Sequence, residues 1–323
     1  MTLTDLDTTL NPDDCESAPA TPGHRRSTRR AAAWLSPIGL GSGIAHRTRA
    51  AFGRGTRIDA LALVLVTVLI LLSLIGILFQ PFDPYKAIPT DALLAPGTDG
   101  HLLGTDDAGR DVLSRILAGA STTLIAAIIV VVVTTVIGVL VACVAAVSPR
   151  VVDEAIMRLC DIFMALPPMV LALGIAAALG PSLTSVVTAM VVAMWPGTTR
   201  LVRGILRETM TASSVEAARV MGVSTPRIMV RHVLPNSMDS VYVQASMEVS
   251  GTIVVMAGLA FLGVGAAPPS ADWGSMVAQG REYITTAWWV AAFPGLAITV
   301  AAVAFGLLGD AIRLRLDPSV RKP

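Results

Sequence analysis

The chain has 323 residues, of which 54% are hydrophobic and 15% are charged, and its formal net charge is +1. Soluble domains carry about 25% charged residues, whereas the mean hydropathy of this chain is +0.69. These values exclude a soluble globular enzyme and a disordered chain, and the balanced charge excludes a nucleic-acid-binding protein. The composition indicates a membrane protein.

Residues 1–56 differ from the rest of the chain. They are rich in Pro, Ser, Thr, Arg and Gly and show no apolar periodicity, which predicts a disordered, basic cytoplasmic tail. The first apolar stretch begins almost 60 residues into the chain and lacks a small-residue cleavage site. We therefore interpret it as a membrane anchor and not as a cleaved signal peptide.

The apolar stretches after this tail are long enough to cross a bilayer, whose hydrocarbon core needs roughly 20 residues of helix. Residues 57–323 are therefore predicted to form an all-α integral membrane domain with six transmembrane helices. The predicted spans, numbered 1 to 6, are residues 60–79, 120–147, 162–179, 182–199, 240–265 and 283–309.

The basic residues predict the orientation, because they concentrate in cytoplasmic loops. Twenty of the 24 basic residues fall before span 1, in loops 2–3 and 4–5, or after span 6. The other four are Lys86, Arg110, Arg115 and Arg281. Both termini are thus expected in the cytoplasm.

Only two basic residues are lysines, and neither can serve a phosphate-binding loop. Such a loop needs Lys followed by Ser or Thr, because the ammonium group neutralises phosphate charge. Here Lys86 is followed by Ala87 and Lys322 by Pro323. The three cysteines lack paired spacing, so neither a disulfide framework nor a zinc site is supported. We predict no catalytic, cofactor or metal residues on this chain.

The long inner loop between spans 4 and 5 predicts two short helices. Residues 216–221 favour a helix that stops at Gly222, because glycine adopts positive φ without strain. Thr225 followed by Pro226 suits the N-cap and first turn of a second helix. Pro235 is expected to bar that helix from continuing smoothly into span 5.

This loop resembles the EAA loop of ATP-binding-cassette (ABC) importer permeases, because it contains Glu-Ala-Ala-x-x-x-Gly followed by His-x-Leu-Pro. In that family the loop forms coupling helices that dock in a groove on a separate ATPase subunit. The alternative is an amphipathic hairpin at the membrane interface. The resemblance implies an ATPase-coupling site formed by Glu216, Ala217, Ala218, Gly222, His232, Leu234 and Pro235.

Three further segments resemble dipeptide, oligopeptide and nickel permeases, in particular the C-type member of their permease pair. They are G-T-D-x-x-G-R-D-x-x-S-R at 104–115, F-L-G-x-G at 261–265 with the following P-P and W-G pairs, and L-L-G-D at 307–310 with L-D-P at 316–318. The resemblance covers about residue 58 to the C-terminus and implies a type I ABC-importer permease fold.

The first of these segments is predicted to form an outer cap, with a short amphipathic helix at 111–120. It is interpreted either as a cover over span 2 or as a dock for an external solute-binding protein, and one structure can serve as both. The residues of this predicted site are Gly104, Thr105, Asp106, Asp107, Gly109, Arg110, Asp111 and Arg115.

The chain departs from the family pattern at two positions along the expected pathway. Ser121 stands where the family commonly has Arg, and Met256 where it commonly has Glu. Glu248 is the one ionisable residue well inside a span, where it either faces a watery pathway or bonds to a neighbouring helix. The candidate pathway residues are Glu248, Met256 and Phe261.

The resemblance also implies partners and a function. The chain would form half of an ATP-driven import pathway for short peptides, with oligopeptides, nickel or another small solute as alternatives. Its partners would be a second homologous permease, two ATPase subunits or domains that bind ATP and Mg, an external solute-binding protein and membrane lipid. The competing classes are an ATP-independent secondary transporter or channel, and a structural subunit without a pathway.

Overall fold

The computed structural model describes residues 57–316, so the predicted tail at 1–56 and the last seven residues lie outside the described range. Within that range the chain consists of helices and connecting loops without a β-strand, which confirms the all-α fold class. The main helices are α1 (Arg57–Leu78), α2 (Val112–Val147), α3 (Arg150–Met164), α4 (Pro168–Leu179), α5 (Leu183–Thr209), α6 (Ser213–Val220), α7 (Thr225–Ile228), α8 (Leu234–Leu259), α9 (Trp273–Gly280) and α10 (Trp289–Leu316).

Five of the described helical segments are long and apolar enough to cross a membrane, and a bent pair of helices makes six if it counts as one span. The five contain α1, α2, α5, α8 and α10, and the bent pair is α3 with α4, whose axes differ by 80°. The segment predicted as span 3, at 162–179, is therefore divided between these two helices, with the break at the Pro167–Pro168 pair. Pro168 disfavours the helical conformation at the residue before it, and Pro167 accordingly has ψ of 129°.

Other boundaries also differ from the predicted spans. The helix expected at 111–120 is not separate, because α2 runs without interruption for 36 residues. Span 6 begins at Trp289 and not at residue 283, since a 3-10 turn ends at Tyr283. In contrast to the α3–α4 break, α5 and α10 continue through Pro196 and Pro294.

The helices pack through small residues, as membrane helices do when their backbones approach closely. α2 lies along α5, α8 lies along α10, and α1 covers α2 and α10. A Cβ added at Gly76 of α1 would lie 2.0 Å from the carbonyl oxygen of Leu117 on α2. The α1–α2 contact therefore requires glycine at this position.

We expect Gly76→Ala to destabilise the bundle, because the obstructing atom belongs to the backbone and cannot rotate away. Overpacking of this kind costs roughly 1–3 kcal/mol. Gly174→Ala on α4 is the matched control, since a Cβ there meets nothing within 4 Å and alanine favours helix by roughly 0.5–1 kcal/mol. Thermal midpoints of the two purified variants should shift in opposite directions, and an unchanged midpoint for Gly76→Ala would contradict the close approach.

Candidate functional site

The segment between α5 and α8 forms a helical hairpin, here called the α6–α7 hairpin (residues 213–228). α6 ends at Val220, and Gly222 follows with φ of +79°. The amide of Gly222 donates to the carbonyl of Arg219 (2.9 Å), and the amide of Val223 donates to that of Ala218 (3.1 Å). This paired arrangement closes the C-terminus of α6, as the position of Gly222 predicted.

The start of α7 and its connection to α8 differ from the prediction. Ser224, and not Thr225, occupies the N-cap of α7. The chain then passes through a π turn at Met229–Val233 into α8, so Pro235 does not stop the helix. The amide of Leu234 donates to the carbonyl of Met229, five residues earlier. A π turn widens the helix by one residue, which accommodates a proline that has no N–H to donate.

The inner face of the hairpin is anchored to one end of the bundle, here called the hairpin end. A buried apolar cluster joins the hairpin and the π turn to α2, α5 and α8. The side chains on the hairpin side of this cluster are Val215, Ala218, Ile228, Met229 and Val233. Because these side chains pack on three long helices, a displacement of the hairpin must displace the ends of those helices.

The outer face of the hairpin presents apolar side chains to the surroundings. Val220 is 85% exposed and Met221 is 76% exposed, and Glu216 and Ala217 beside them are exposed as well. Soluble surfaces seldom leave adjacent large apolar residues this accessible unless they bind a partner. The arrangement suits insertion of the α6 end into an apolar groove.

The predicted coupling residues divide between these two faces. Ala218 packs inward, and His232 and Leu234 are half-buried. The exposed members are Glu216, Ala217, Gly222 and Pro235. The motif thus contains residues that anchor the hairpin and residues that remain available for contact, a distinction that its spacing alone did not make.

A polar seam joins α5 to α8, the two helices that flank the hairpin. The hydroxyls of Thr209 and Ser237 lie 2.9 Å apart near the hairpin end. Deeper in the bundle, Glu248 Oε1 accepts from Gln244 Nε2 (3.1 Å) and from Thr198 Oγ1 (3.4 Å). The Thr209–Ser237 and Thr198–Glu248 contacts join the two helices along their shared face, whereas the Gln244–Glu248 bond lies within α8.

The three candidate pathway residues lie in different environments. Glu248 belongs to the seam, and among the described residues its buried Oε2 has no hydrogen-bond partner. Met256 is 5% exposed and lies in the larger apolar core, a position that argues against direct contact with a transported molecule. Phe261 is partly exposed, and its ring centroid lies 5.3 Å from the guanidinium carbon of Arg281.

The opposite end of the bundle is covered by residues 79–111, here called the cap. Asp106 organises it: Oδ1 accepts from the amides of Ala108 and Arg110 (2.9 Å each), and Oδ2 accepts from Arg110 Nε (2.7 Å). Arg115 Nε lies 3.4 Å from the same Oδ2. Gly104 and Gly109, with φ of +77° and +75°, form the turns on either side.

Other buried groups connect the cap to distant segments. Asp111 caps α2 by accepting from the amide of Ser114 (2.7 Å), and its Oδ1 lies 2.9 Å from His101 Nδ1. Arg115 donates to the carbonyls of Pro84 (3.2 Å) and Ser270 (3.2 Å). The cap is therefore fixed to the loop before α9 as well as to α2.

The predicted docking residues mostly form the interior of the cap. Of the eight, Asp107 alone is exposed; the other seven are buried. A buried side chain cannot be the surface that a binding protein touches. These residues instead keep the cap rigid, while Leu102 and Tyr85 supply part of its exposed surface.

The comparisons with known proteins identify the family of the chain. Residues 135–322 match the family described as binding-protein-dependent transport system inner membrane component. Because this match covers more than half of the chain, the chain belongs to that family. The predicted family is thereby confirmed: the chain is a multi-pass inner-membrane permease of the type I ABC-importer kind.

Several proteins named as peptide permeases are similar over most of the chain. The probable D,D-dipeptide transport system permease protein DdpC of Escherichia coli K12 is 41% identical over 255 residues, which are 78% of this chain and 85% of that protein. The di/tripeptide transport system permease protein DppC of Pseudomonas aeruginosa is 40% identical, with 75% and 81% coverage. The dipeptide transport system permease protein DppC of Escherichia coli K12 is 39% identical, with 80% and 88% coverage.

We expect Asp106→Asn to destabilise the protein much more than Asp107→Asn. The first change leaves Arg110 and Arg115 without their buried counter-charge, and loss of one partner of a buried ion pair costs about 3–5 kcal/mol. Asp107 is exposed, 3.7 Å from Arg110, so its loss should cost less than about 1 kcal/mol. Unfolding by SDS in mixed micelles measures both values, and equal stabilities would contradict the central role of Asp106.

Proposed function

We propose that the chain is one of two permease subunits of an ATP-driven importer and that the α6–α7 hairpin couples it to separate ATPase subunits. The observation that carries the proposal is the hairpin itself. Its inner face is anchored on α2, α5 and α8, and its outer face presents Val220 and Met221 beside Glu216 and Ala217. It therefore combines an exposed contact surface with a rigid connection to the spans.

The charge of the hairpin supports a protein groove as its binding site. Around the apolar tip lie Arg219, Arg227 and Arg231, all exposed, with Glu216 as the opposing charge. We propose a groove with an apolar floor and an acidic rim, because complementary potentials favour such an encounter. Arginine-rich loops are typical of the cytoplasmic side, so the hairpin end would face the cytoplasm and the cap the outside.

ATP binding is proposed to draw the two ATPases together and to move the hairpins that are seated on them. α5 and α8 would follow as one rigid body, because the polar seam through Glu248 and the buried cluster below it hold them together. Such a rotation changes the access of a pathway between the two permeases from one side of the membrane to the other. ATP and Mg would be bound by the partner chains, since this chain has no phosphate-binding loop.

We propose short peptides, dipeptides first, as the transported substrates. Support comes from the relatives, whose names refer to D,D-dipeptides, dipeptides and di/tripeptides. An external solute-binding protein would deliver the substrate to the outer surface of the cap, whose buried Asp106 network keeps that surface in a fixed shape. This chain would be the C-type member of the permease pair.

Ala217→Arg tests the coupling surface. The added side chain projects from the exposed face of α6, so the subunit should fold and insert normally. Co-purification of the ATPases and ATP-driven uptake should both fall by roughly thirtyfold, the effect of losing a central interface contact. The measurements are the ATPase content of the purified complex and uptake of labelled peptides into proteoliposomes.

Ala155→Arg is the matched control, because Ala155 is an exposed alanine on α3 near the same end of the bundle. It should leave ATPase content and uptake close to wild type. Normal co-purification in Ala217→Arg would refute the coupling role. Transport by this chain alone in liposomes without ATP would instead favour a secondary transporter or channel.

The substrate class is tested by uptake in a strain that lacks the gene for this chain and in the same strain complemented with it. Labelled di-, tri- and longer peptides and nickel should be compared at equal concentration. We expect complementation to restore uptake of dipeptides, and of tripeptides to a lesser degree. Restoration of nickel uptake alone would refute a peptide substrate while leaving the importer mechanism intact.

A further inference from the structure

A charged cavity of about 680 Å³ lies at the hairpin end, between the ends of α2, α3 and α5, beside the surface proposed to contact the ATPases. Positively and negatively charged side chains both line its walls. The charged residues are Arg150, Asp153, Glu154, Asp161, Arg200, Arg203 and Arg207. Because positive and negative groups alternate across the cavity, they connect helices to one another more readily than they bind a single anion or cation.

Asp153 is the buried member of this group, with a side chain that is 7% exposed. Its Oδ1 accepts from Arg203 Nε and its Oδ2 from Arg203 Nη2, at 2.5 Å each. Arg207, one turn further along α5, also contacts Oδ2. Two parallel bonds between a guanidinium and a carboxylate fix the direction as well as the distance between their helices. Asp153 therefore holds the start of α3 against α5.

The other ion pairs around the cavity are different in kind. Arg200 and Asp161 also join α5 to α3, at 2.7 Å, but both side chains are more than half exposed. Glu154 and Arg158 are exposed and lie on the same helix. Exposed pairs contribute little, because water and salt screen them. The rings of Phe163 and Trp195 also meet between α3 and α5, with centroids 5.6 Å apart. Among the ion pairs that join these two helices, the buried pair of Asp153 is therefore the strongest.

The Asp153–Arg203 pair lies between the helix that leads to the hairpin and the helix that leads to the bend before α4. α5 ends at Thr209, four residues before the hairpin begins at Ser213. α3 leads to the 80° bend and so into α4. A short segment between helices, as at residues 165–167, can absorb a change in the angle between them. Asp153 is therefore placed between the hairpin-bearing helix and the broken span.

We infer that Asp153 is a positioning residue that transmits displacement of the hairpin through α5 to the α3–α4 pair. The inference rests on the proposed coupling function. When α5 moves with the ATPases, the paired Arg203 and Arg207 carry α3 along, and the bend before α4 changes its angle. Without this connection α5 can move while the broken span stays behind, so ATP hydrolysis continues but less substrate crosses the membrane.

The experiment uses the complete transporter, with both permeases, the ATPases and the binding protein, in proteoliposomes supplied with labelled di- and tripeptides. Uptake and ATP hydrolysis are measured on the same samples. We expect Asp153→Asn to lower peptide transported per ATP by roughly tenfold, the effect of losing bonds between charged groups. Glu154→Gln, next to it on α3, should leave the ratio unchanged.

An unchanged ratio in Asp153→Asn would overturn the inference. A wild-type complex that shows no ATP-driven uptake would refute the proposed function instead, so the two failures are distinguishable. If the Asp153→Asn subunit does not assemble with its partner chains, Arg203→Lys serves as a second variant. It retains the positive charge and removes the two parallel bonds to Asp153. The ratio is then expected to fall by about threefold, and a wild-type ratio in that variant would equally overturn the inference.

Discussion

The bilayer offers no hydrogen-bond partners, and this constraint determines most of the architecture. Within the hydrocarbon, backbone N–H and C=O groups must form their hydrogen bonds inside helices. Irregular structure therefore occurs where protein covers it or where it lies outside the hydrocarbon. The cap illustrates the second case. Its loops are held by carboxylates and arginines that satisfy one another, with Asp106 bonding to two backbone amides and to Arg110. Polar groups are thus concentrated at the ends of the bundle, while alanine, glycine and branched apolar residues fill its middle.

The two ends use buried charge for different purposes. At the cap end, Arg115 at the start of α2 donates to one carbonyl in the cap and to one in the loop before α9, and these bonds hold the cap in a fixed position. At the hairpin end, Asp153 joins one helix to another through side chains alone. A pair of this kind fixes the contact between two helices but leaves each helix free to bend elsewhere. A rigid cap at one end and a connection between helices at the other suit the proposed permease, which would receive substrate at the cap and be moved by its ATPases at the hairpin end.

Local sequence signals predicted the ends of helices better than their continuity. Gly222 predicted the end of α6 because a helix that closes in this way needs positive φ, which glycine adopts without strain. Pro235, by contrast, was expected to bar the helix from continuing smoothly, yet the chain passes through a π turn into α8. Pro167 and Pro168 do lie at a sharp bend, between α3 and α4. A proline removes one hydrogen bond in each case, and the packing around it decides whether the helix widens or breaks. The same limit applies to Met256, whose burial depends on neighbours from other helices.

The sequence by itself determined that this is a multi-pass membrane permease. Hydropathy specified apolar helices of the required length, and the spacing of Glu216, Gly222 and His232 identified the loop between spans 4 and 5, because both are properties of contiguous residues. Only the tertiary structure decided which motif residues face outward, that Asp106 lies inside the cap, and that Asp153 pairs with Arg203 on a helix 50 residues away. The physical reason is that burial and ion pairing depend on segments far apart in the chain, and a single sequence does not reveal their distances.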